Sequence, residues 1–278
     1  IHADQVIYLP IEQTTEAFGG EPKNFYYYPF GGPHPIRDKQ EVFQQRKINP
    51  GAKAKICFMI SSTGTNLQNI IDLIEQGDIS AEITNVIANH KNAFGLVRAQ
   101  KHAIPNIAIE YSAKSTAIKD RNTYEDQLIK HILNEPPDII LLSGWDMILG
   151  DKFLKKMQEE DIGVFNHHPA LLPKSSSDTV TTSRGTFPVM RGYGFKNSYA
   201  KKLPVAGVTI HQIVPGNKVD TGPVVMQAEV RTRKNDTLKE YETRLRTMEY
   251  LLVPTAIKKI LHVVHTHNIS ISNGYFPW

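Results

Sequence analysis

The stretch "KICFMISSTGTNLQNIIDLIEQG", residues 55–77, decides the fold class of this chain. Its opening run "KICFMI" is short and apolar, which is typical of a buried strand. After the polar turn "SSTGT", apolar side chains recur at helical spacing and the pattern stops at a glycine, as helices often do; these are Leu67, Ile70, Ile71 and Ile74. The stretch therefore predicts a strand, a tight turn and a helix in direct succession.

The same alternation continues along the chain. Helical patterns stand between further strand-like runs, at residues 82–88, 105–111, 137–145 and 162–168. Strands that alternate with helices indicate parallel βαβ units. We therefore predict an α/β fold, a Rossmann-like doubly wound and mostly parallel sheet.

In the last third of the sequence, strands and helices no longer alternate one by one. Two neighbouring strands are expected within residues 205–214 and 223–230. A long helix should follow, because Thr237 and Glu240 have the spacing of a capping box ahead of an apolar face. The predicted helix from about residue 124 to 133 lies earlier, before the fourth strand.

Composition divides the chain into three parts. Residues 1–52 are dense in glycine, proline and aromatics and show no periodicity, so we expect an irregular N-terminal extension and linker. Residues 53–263 carry the periodic patterns of the main domain. Residues 264–278 are expected to form a C-terminal tail.

Charge and hydropathy narrow the function classes. The chain has 278 residues, of which 40% are hydrophobic, enough for a sizeable core. The formal net charge is only +4 and no lysine or arginine block occurs, so we expect no nucleic-acid partner. No apolar run has the length of a membrane span, and the single cysteine, Cys57, excludes a disulfide framework. We expect a cytoplasmic protein that binds small molecules.

The loops that follow the predicted strands are where ligands are expected, because open α/β sheets bind them beyond the carboxyl ends of their strands. In "ISSTGTN" a strand leads directly into a helix, whose free N–H groups and positive end suit a phosphate. The motif has one glycine and no lysine, so it matches neither a dinucleotide fingerprint nor a P-loop. An ordinary capped turn is an equally simple interpretation of this motif alone.

The motif "NHHP", residues 166–169, ends a predicted central strand. Asn166 and His168 are two residues apart, so on a strand they point to the same face. One is a neutral hydrogen-bond donor and the other a titratable donor, a pair that suits a developing oxyanion. A single histidine at this position would more simply be structural.

The motif "VDTGP" places Asp220 in a turn between two strands. A turn aspartate is the simpler interpretation of that residue alone. If it faces His168, its carboxylate would favour the imidazolium and raise the pKa of His168 toward neutrality. Asn166, His168 and Asp220 would then form a proton-handling site without a metal and without a nucleophilic serine or cysteine.

The motifs taken together resemble the folate-dependent formyltransferases. They are "KICFMISSTGTNLQNIID", "VIANHKNAFGLVRA", "DIILLSGWDMIL", "NHHPALLPK" and "VTIHQIV…VDTGPVVMQAEV", in the order and spacing of that family. The resemblance covers roughly residues 53–263 and implies a Rossmann-like fold. It implies transfer of a formyl group from 10-formyltetrahydrofolate, as co-substrate, to an amine, with no metal. The expected amine is that of glycinamide ribonucleotide, in purine biosynthesis.

The resemblance also implies a role for each matching residue. Asn166 and a protonated His168 would stabilise the tetrahedral oxyanion, and Asp220 would keep His168 charged. His211 matches a histidine near the same site. The implied acceptor contacts are Gly64, Thr65, Asn66 and Glu249, and the implied folate contacts are Arg121, Met147, Ile148 and Leu149.

Two departures from the family pattern keep alternatives open. Ser62 replaces a usual glycine, and residues 175–191 form an insertion, a lid or a hairpin, before Gly192, beyond which a usual histidine is missing. The alternatives are a formyltetrahydrofolate hydrolase, a formyltransferase for another amine such as an amino sugar, and a scaffold without activity. A homodimer is possible. The histidines of "HVVHTH", residues 262–267, suit a helix end better than a metal.

Overall fold

The computed structural model describes residues 53–111, 120–172, 179–182, 185–188, 205–217, 219–233 and 235–266. The expectations for residues 1–52 and 267–278 therefore lie outside the described residues. In the first part of the described chain, strands and helices alternate as β1 (Ala54–Ile60), α1 (Thr65–Glu75), β2 (Ala81–Ala88), α2 (Phe94–Lys101), β3 (Asn106–Ala108), α3 (Arg121–Asn134), β4 (Ile139–Ser143), α4 (Asp151–Glu159) and β5 (Gly163–His168).

The remaining elements are mostly antiparallel strands and one long helix. They are β6 (Thr179–Thr182), β7 (Gly185–Pro188), β8 (Val205–Gln212), β9 (Val224–Arg231) and α5 (Leu238–Thr266). The main sheet has seven strands in the order β3-β2-β1-β4-β5-β8-β9. Its first five strands are parallel, and β8 and β9 join them antiparallel. The predicted α/β fold with a mostly parallel sheet is confirmed.

Helices cover both faces of the sheet and divide the core in two. On one face α1, α2 and α5 cover apolar side chains such as Phe58, Phe165 and Ile210. On the other face α3 and α4 cover side chains such as Met59, Leu142 and Val164. Because side chains alternate along each strand, neighbouring residues of β5 serve the two separate cores. At the carboxyl ends of the parallel strands, a side chain therefore lies either on the face of α1, α2 and α5 or on the face of α3 and α4.

Some element boundaries differ from the sequence prediction. Strand β3 is shorter than the predicted run because it is an edge strand that pairs only with the last residues of β2, Val86–Ala88. Helix α3 begins at Arg121, earlier than predicted, because the Asp120 carboxylate caps it by accepting a hydrogen bond from the N–H of Thr123, 2.7 Å away. Local hydrogen bonds thus override the hydrophobic pattern at these ends.

Helix α5 begins at the predicted capping box. The N–H of Thr237 donates to Glu240 Oε2 at 2.8 Å, and the N–H of Glu240 donates to Thr237 Oγ1 at 3.3 Å. The helix then runs to Thr266 with Pro254 inside it. It contacts β8, β9 and α1, so it closes one face of the sheet.

Part of the insertion at residues 175–191 forms a hairpin. Strands β6 and β7 pair antiparallel with each other in a separate two-stranded sheet, and Thr182 is opposite Gly185. Of the two expected forms, the hairpin is therefore present in the backbone.

Among the helices of the described residues, none is both long enough and apolar enough to cross a membrane.

Candidate active site

Strand β5 carries the predicted oxyanion residues at its carboxyl end. Asn166 is opposite His211 of β8, and His168 is opposite Thr209. Residues directly opposite on paired strands share a face, so Asn166, His168, Thr209 and His211 all lie on the side of α3 and α4. The prediction that Asn166 and His168 share one face is confirmed.

Asn166, His168, His211 and Asp220 form one cluster. Asn166 Nδ2 lies 3.2 Å from His211 Nε2. Asp220 Oδ1 lies 3.6 Å from His211 Nε2 and 3.8 Å from His168 Nδ1. The two histidine rings stand nearly perpendicular, with centroids 6.3 Å apart. The structure thus places His211, expected near the site by resemblance alone, in direct contact with Asn166.

The loop between β8 and β9 brings Asp220 to this cluster. Asp220 has a φ of +54°, a left-handed conformation that aspartate tolerates better than most residues. At Gly222 an added Cβ would lie only 1.7 Å from the carbonyl oxygen of Gln212. The loop therefore passes directly against β8, and only glycine fits at that contact. The "DTG" sequence is what allows the carboxylate to face the two histidines.

His211 is held neutral by its surroundings. Burial lowers the pKa of His211 to about 4, and it outweighs the nearby Asp220 carboxylate, which by itself would raise that pKa. A neutral imidazole has one nitrogen that accepts a hydrogen bond. His211 Nε2 can therefore accept from the amide of Asn166, which fixes the orientation of that amide.

His168 departs from the sequence expectation. Burial lowers the pKa of His168 below its ordinary value, because it outweighs the raising effect of Asp220, and a charge on His167 would lower the pKa further. The expected net rise toward neutrality is therefore wrong for this geometry: at 3.8 Å the carboxylate is too distant for a direct hydrogen bond. His168 Nε2 is buried and has no hydrogen-bond partner among the described residues.

The arrangement can therefore stabilise an oxyanion. It offers an oriented amide and an imidazole nitrogen with no partner, both in partly buried surroundings where hydrogen bonds are strong. A carboxylate lies beside the imidazole, where it can stabilise a positive charge or take up a proton.

The turn between β1 and α1 leaves backbone donors available. Gly64 is the N-cap of α1 in a left-handed conformation, with φ of +64°, and no side chain caps the helix. The first backbone bond of the helix runs from the N–H of Gln68 to the Gly64 carbonyl, at 3.0 Å. The N–H groups of Thr65 and Asn66 precede that bond, so they are among the free donors of the helix N-terminus. This geometry suits an anion.

Glycines also fix the position of this turn. An added Cβ at Gly64 would lie 2.7 Å from Gly95 Cα, and one at Gly95 would lie 2.2 Å from Ile60 Cδ1. The turn therefore packs backbone to backbone against the start of α2. Ser62, the departure from the family pattern, accepts a hydrogen bond from the N–H of Gly95 through its carbonyl oxygen, at 3.1 Å. Its side chain is exposed, so the replacement leaves this packing intact.

Glu249 lies on α5, on the same side of the sheet as this turn. Its side chain is buried, and Glu249 Oε1 lies 3.5 Å from His167 Nε2. Helices α1 and α5 are joined where Asn69 Nδ2 donates to the carbonyl oxygen of Tyr250, at 2.9 Å. The expected acceptor residues therefore belong to two helices in contact.

The expected folate residues lie on the opposite face, with α3 and α4. Arg121 donates from Nε to Glu125 Oε1 at 2.8 Å, and the N–H of Gly150 donates to the same oxygen at 2.8 Å. Glu125 is buried, so this carboxylate ties the start of α3 to the loop before α4. Within that loop Met147 is half-buried, Ile148 is 61% exposed and Leu149 is buried in the core.

Asp146 is the centre of a polar network at the carboxyl ends of the strands, and sequence analysis did not predict this network. Ser61 Oγ donates to its carboxylate at 2.9 Å, Asn89 Nδ2 donates to the same oxygen, and His90 Nε2 lies 3.0 Å from the other. Burial by itself would raise the pKa of Asp146, but these hydrogen bonds together lower it. The network joins the carboxyl ends of β1, β2 and β4. The available signal was a polar residue shortly after the end of each strand: Ser61 and Asn89 follow directly, and Asp146 follows Gly144 and Trp145.

Metal binding was not expected. Within the described ranges, no group of three or more histidine, cysteine or acidic side chains is arranged to hold a metal ion. His265 and His267 lie where the structure describes no side chain.

Comparison with known proteins identifies the family of this chain. A family model described as "Formyl transferase" matches residues 54–257. The phosphoribosylglycinamide formyltransferase of Saccharomyces cerevisiae is 32% identical over 76% of this chain and 99% of the relative, and that of Haemophilus influenzae is 33% identical over 73% and 85%. The solved phosphoribosylglycinamide formyltransferase of Coxiella burnetii, in complex with CHES, is 30% identical with a TM-score of 0.60 and covers 74% of this chain and 86% of that one. This chain therefore belongs to the formyltransferase family.

Proposed function

We propose that this chain is an enzyme that transfers the formyl group of 10-formyltetrahydrofolate to the amine of glycinamide ribonucleotide, a step of purine biosynthesis. The match to relatives named for this activity covers nearly the whole length of those relatives. The observation that carries the proposal is the cluster of Asn166, His168, His211 and Asp220. In it His168 Nε2 has no partner among the described residues, and the amide of Asn166, on the same face of β5, is oriented by His211. Such a pair of donors suits the oxygen of a formyl group under attack.

The reaction begins when the amine nitrogen attacks the formyl carbon. A carbon–nitrogen bond forms and the carbonyl electron pair moves to oxygen, giving a tetrahedral oxyanion. Asn166 Nδ2 and His168 Nε2–H donate hydrogen bonds to that oxygen. Negative charge close to His168 raises its proton affinity, so the intermediate favours the imidazolium even though burial disfavours it in the free site.

The proton of the amine must then reach the leaving nitrogen. Asp220 lies beside His168 and His211 and takes up this proton, through a water, as the amine becomes an amide. The intermediate collapses, the bond between the formyl carbon and N10 breaks, and N10 takes the proton that Asp220 returns through the same water, so that tetrahydrofolate leaves and Asp220 is again a carboxylate. Atoms and charges balance without a further co-reactant.

The two substrates reach this centre from opposite faces of the sheet. Gly64, Thr65 and Asn66 bind the acceptor's phosphate at the uncapped start of α1, and Glu249 on α5 binds its glycinamide part. The folate lies on the other face, where Arg121 meets its acidic tail and Met147, Ile148 and Leu149 shape its pocket. The end of β5 lies between the two groups, and in this proposal the amine and the formyl group meet over Asn166 and His168.

The experiment that tests this function follows deformylation of a 10-formylfolate donor by absorbance, with and without glycinamide ribonucleotide. We expect turnover only when the acceptor is present. Turnover without acceptor would indicate a hydrolase, and turnover with an amino sugar instead would indicate a different transferase. Either result would overturn the proposed acceptor.

Variants connect the activity to the cluster. Replacing His168 with asparagine removes the imidazole donor and should lower kcat about a hundredfold or more, as removal of an oxyanion donor does in other enzymes. His262→Gln, on the exposed surface of α5, is the matched control and should keep the wild-type rate. Equal rates in both variants would refute the role of His168.

A homodimer and a cytoplasmic location stay predictions from the sequence. Sedimentation of the purified chain over a range of concentrations tests the first.

A further inference from the structure

His167, the second residue of the "NHHP" motif, is the buried histidine that the proposed mechanism does not use. It alternates with Asn166 and His168 along β5, so its side chain points to the other face of the sheet, under α5. Its partner across the strands is Ile210, which belongs to the apolar core of that face. A histidine in such surroundings calls for a polar partner.

That partner is Glu249. His167 Nε2 lies 3.5 Å from Glu249 Oε1, and the two side chains are 6% and 11% exposed. His167 Nε2 has no regular hydrogen bond in the described structure, so this donor is available to the carboxylate. The distance is at the outer limit of hydrogen bonding, and a shift of a few tenths of an ångström brings it into the ordinary range.

A carboxylate in this position needs a donor for energetic reasons. Removing a charged group from water is costly unless hydrogen bonds compensate. Glu249 lies on α5, and its neighbour Tyr250 accepts the hydrogen bond from Asn69 of α1. His167 supplies a second connection, from the sheet, and so limits the positions that the carboxylate can take.

We propose that His167 is a positioning residue that holds the carboxylate of Glu249 in place for the acceptor's amine. The proposal rests on the proposed function, because it takes Glu249 as the residue that binds the acceptor. Strand β5 then serves both halves of the reaction. Asn166 and His168 contact the formyl oxygen on one face, and His167 orients the Glu249 carboxylate, which binds the acceptor, on the other. One rigid strand thereby sets the approach of the amine to the formyl carbon.

Steady-state kinetics of the full chain test the proposal, with the acceptor varied at saturating donor and then the reverse. His167→Leu fills the space without a donor. We expect the KM for the acceptor to rise about tenfold, because a Glu249 carboxylate that is no longer held in place binds the acceptor's amine less well. The KM for the donor and kcat at saturating acceptor should stay within about twofold. A change limited to one KM separates positioning from a general loss of structure.

His167→Gln is the conservative variant, since its amide can donate to the same carboxylate. It should recover most of the lost acceptor affinity. In a double-mutant cycle with Glu249→Gln, the effects of His167→Leu and Glu249→Gln should fall well short of adding. An unchanged acceptor KM in His167→Leu, an equal rise in both KM values, or no recovery in His167→Gln would each overturn the proposal.

A second readout does not depend on turnover. In protein labelled with 15N-histidine, Glu249→Gln should shift the Nε2 resonance of His167 and leave that of His102 in place. No shift would overturn the contact and the proposal with it. Wild-type protein without acceptor-dependent turnover would instead refute the proposed function, and the resonance would still report whether His167 and Glu249 interact.

Discussion

The neutral state of His211 gives a quantitative prediction about acid stability. His211 is 1% exposed, and burial lowers its pKa from 6.5 to about 4. The folded protein therefore resists protonation of His211, while the unfolded chain takes up the proton below about pH 6.5. Stability from this residue is fully present above that pH and is lost as the pH falls toward the folded value.

The size of the effect follows from the pKa difference. One pKa unit corresponds to about 1.4 kcal/mol, so His211 should lower the free energy of unfolding by about 2 kcal/mol between pH 7.5 and 5, and by about 3 kcal/mol once the pH reaches about 4. Burial acts in the same direction on His168, which adds to the loss in the wild-type protein.

Replacing His211 with glutamine removes the titrating group and keeps an oxygen that can accept from Asn166. Urea unfolding at pH 7.5 and at pH 5 measures the difference in free energy for each protein. We expect that difference to be about 2 kcal/mol smaller in His211→Gln than in the wild type.

Thr209→Val is the control for general destabilisation. Thr209 lies on the same face of β8, is fully buried and donates from Oγ1 to the carbonyl oxygen of Ala170 at 2.7 Å, but does not titrate. Loss of this hydrogen bond in Thr209→Val should lower the free energy of unfolding by the same amount at both pH values. A His211→Gln protein that loses as much stability on acidification as the wild type would refute the argument that burial keeps His211 neutral.

Three further predictions concern single contacts. Gly222→Ala forces a methyl group against β8, so we expect a loss of about 3 kcal/mol in urea unfolding and a fall in kcat, because the loop that carries Asp220 must move. Glu125→Gln weakens the hold on Arg121 and should raise the KM for the folate donor about fivefold, with the acceptor KM unchanged. Thr237→Ala removes the N-cap of α5 and should cost about 1 kcal/mol in urea unfolding.

Two of these predictions have a control variant, and the third is tested by comparing the two KM values. Gly216→Ala lies in the same loop with open space around it, so it tests backbone strain without the clash and should leave kcat near wild type. An equal rise in both KM values for Glu125→Gln would count against a folate-specific role. Thr243→Ala, further along α5, should change stability far less than Thr237→Ala, and an equal cost would show that the cap contributes nothing particular.

The periodic signals of the sequence were sufficient for the architecture. Short apolar runs, helical spacing and the capping box at Thr237 each act over a few residues, so they can be seen without tertiary structure. The shared face of Asn166 and His168 followed from strand alternation in the same way. Where local hydrogen bonds compete with the hydrophobic pattern, as at Asp120, the predicted boundary was wrong by a few residues.

The chemistry of the site depended on contacts between distant segments. Asp220 reaches His168 only because of its left-handed backbone and the close passage of Gly222, and its charge competes with a burial that no sequence pattern reports. For that reason the expected rise in the pKa of His168 became a fall. The pair of His167 and Glu249 likewise joins a strand to a helix near the end of the chain.

Sequence patterns alone predicted the alternation of strands and helices, the edge of the sheet where ligands are expected, and the shared face of Asn166 and His168. These follow from periodicity and from motif order, which are local properties. The tertiary structure alone decided which histidine contacts Asn166, which one faces Glu249, and which charges burial suppresses. Desolvation and pairing depend on what packs around a group in three dimensions, and the neighbours that do so here come from β8, its loop and α5.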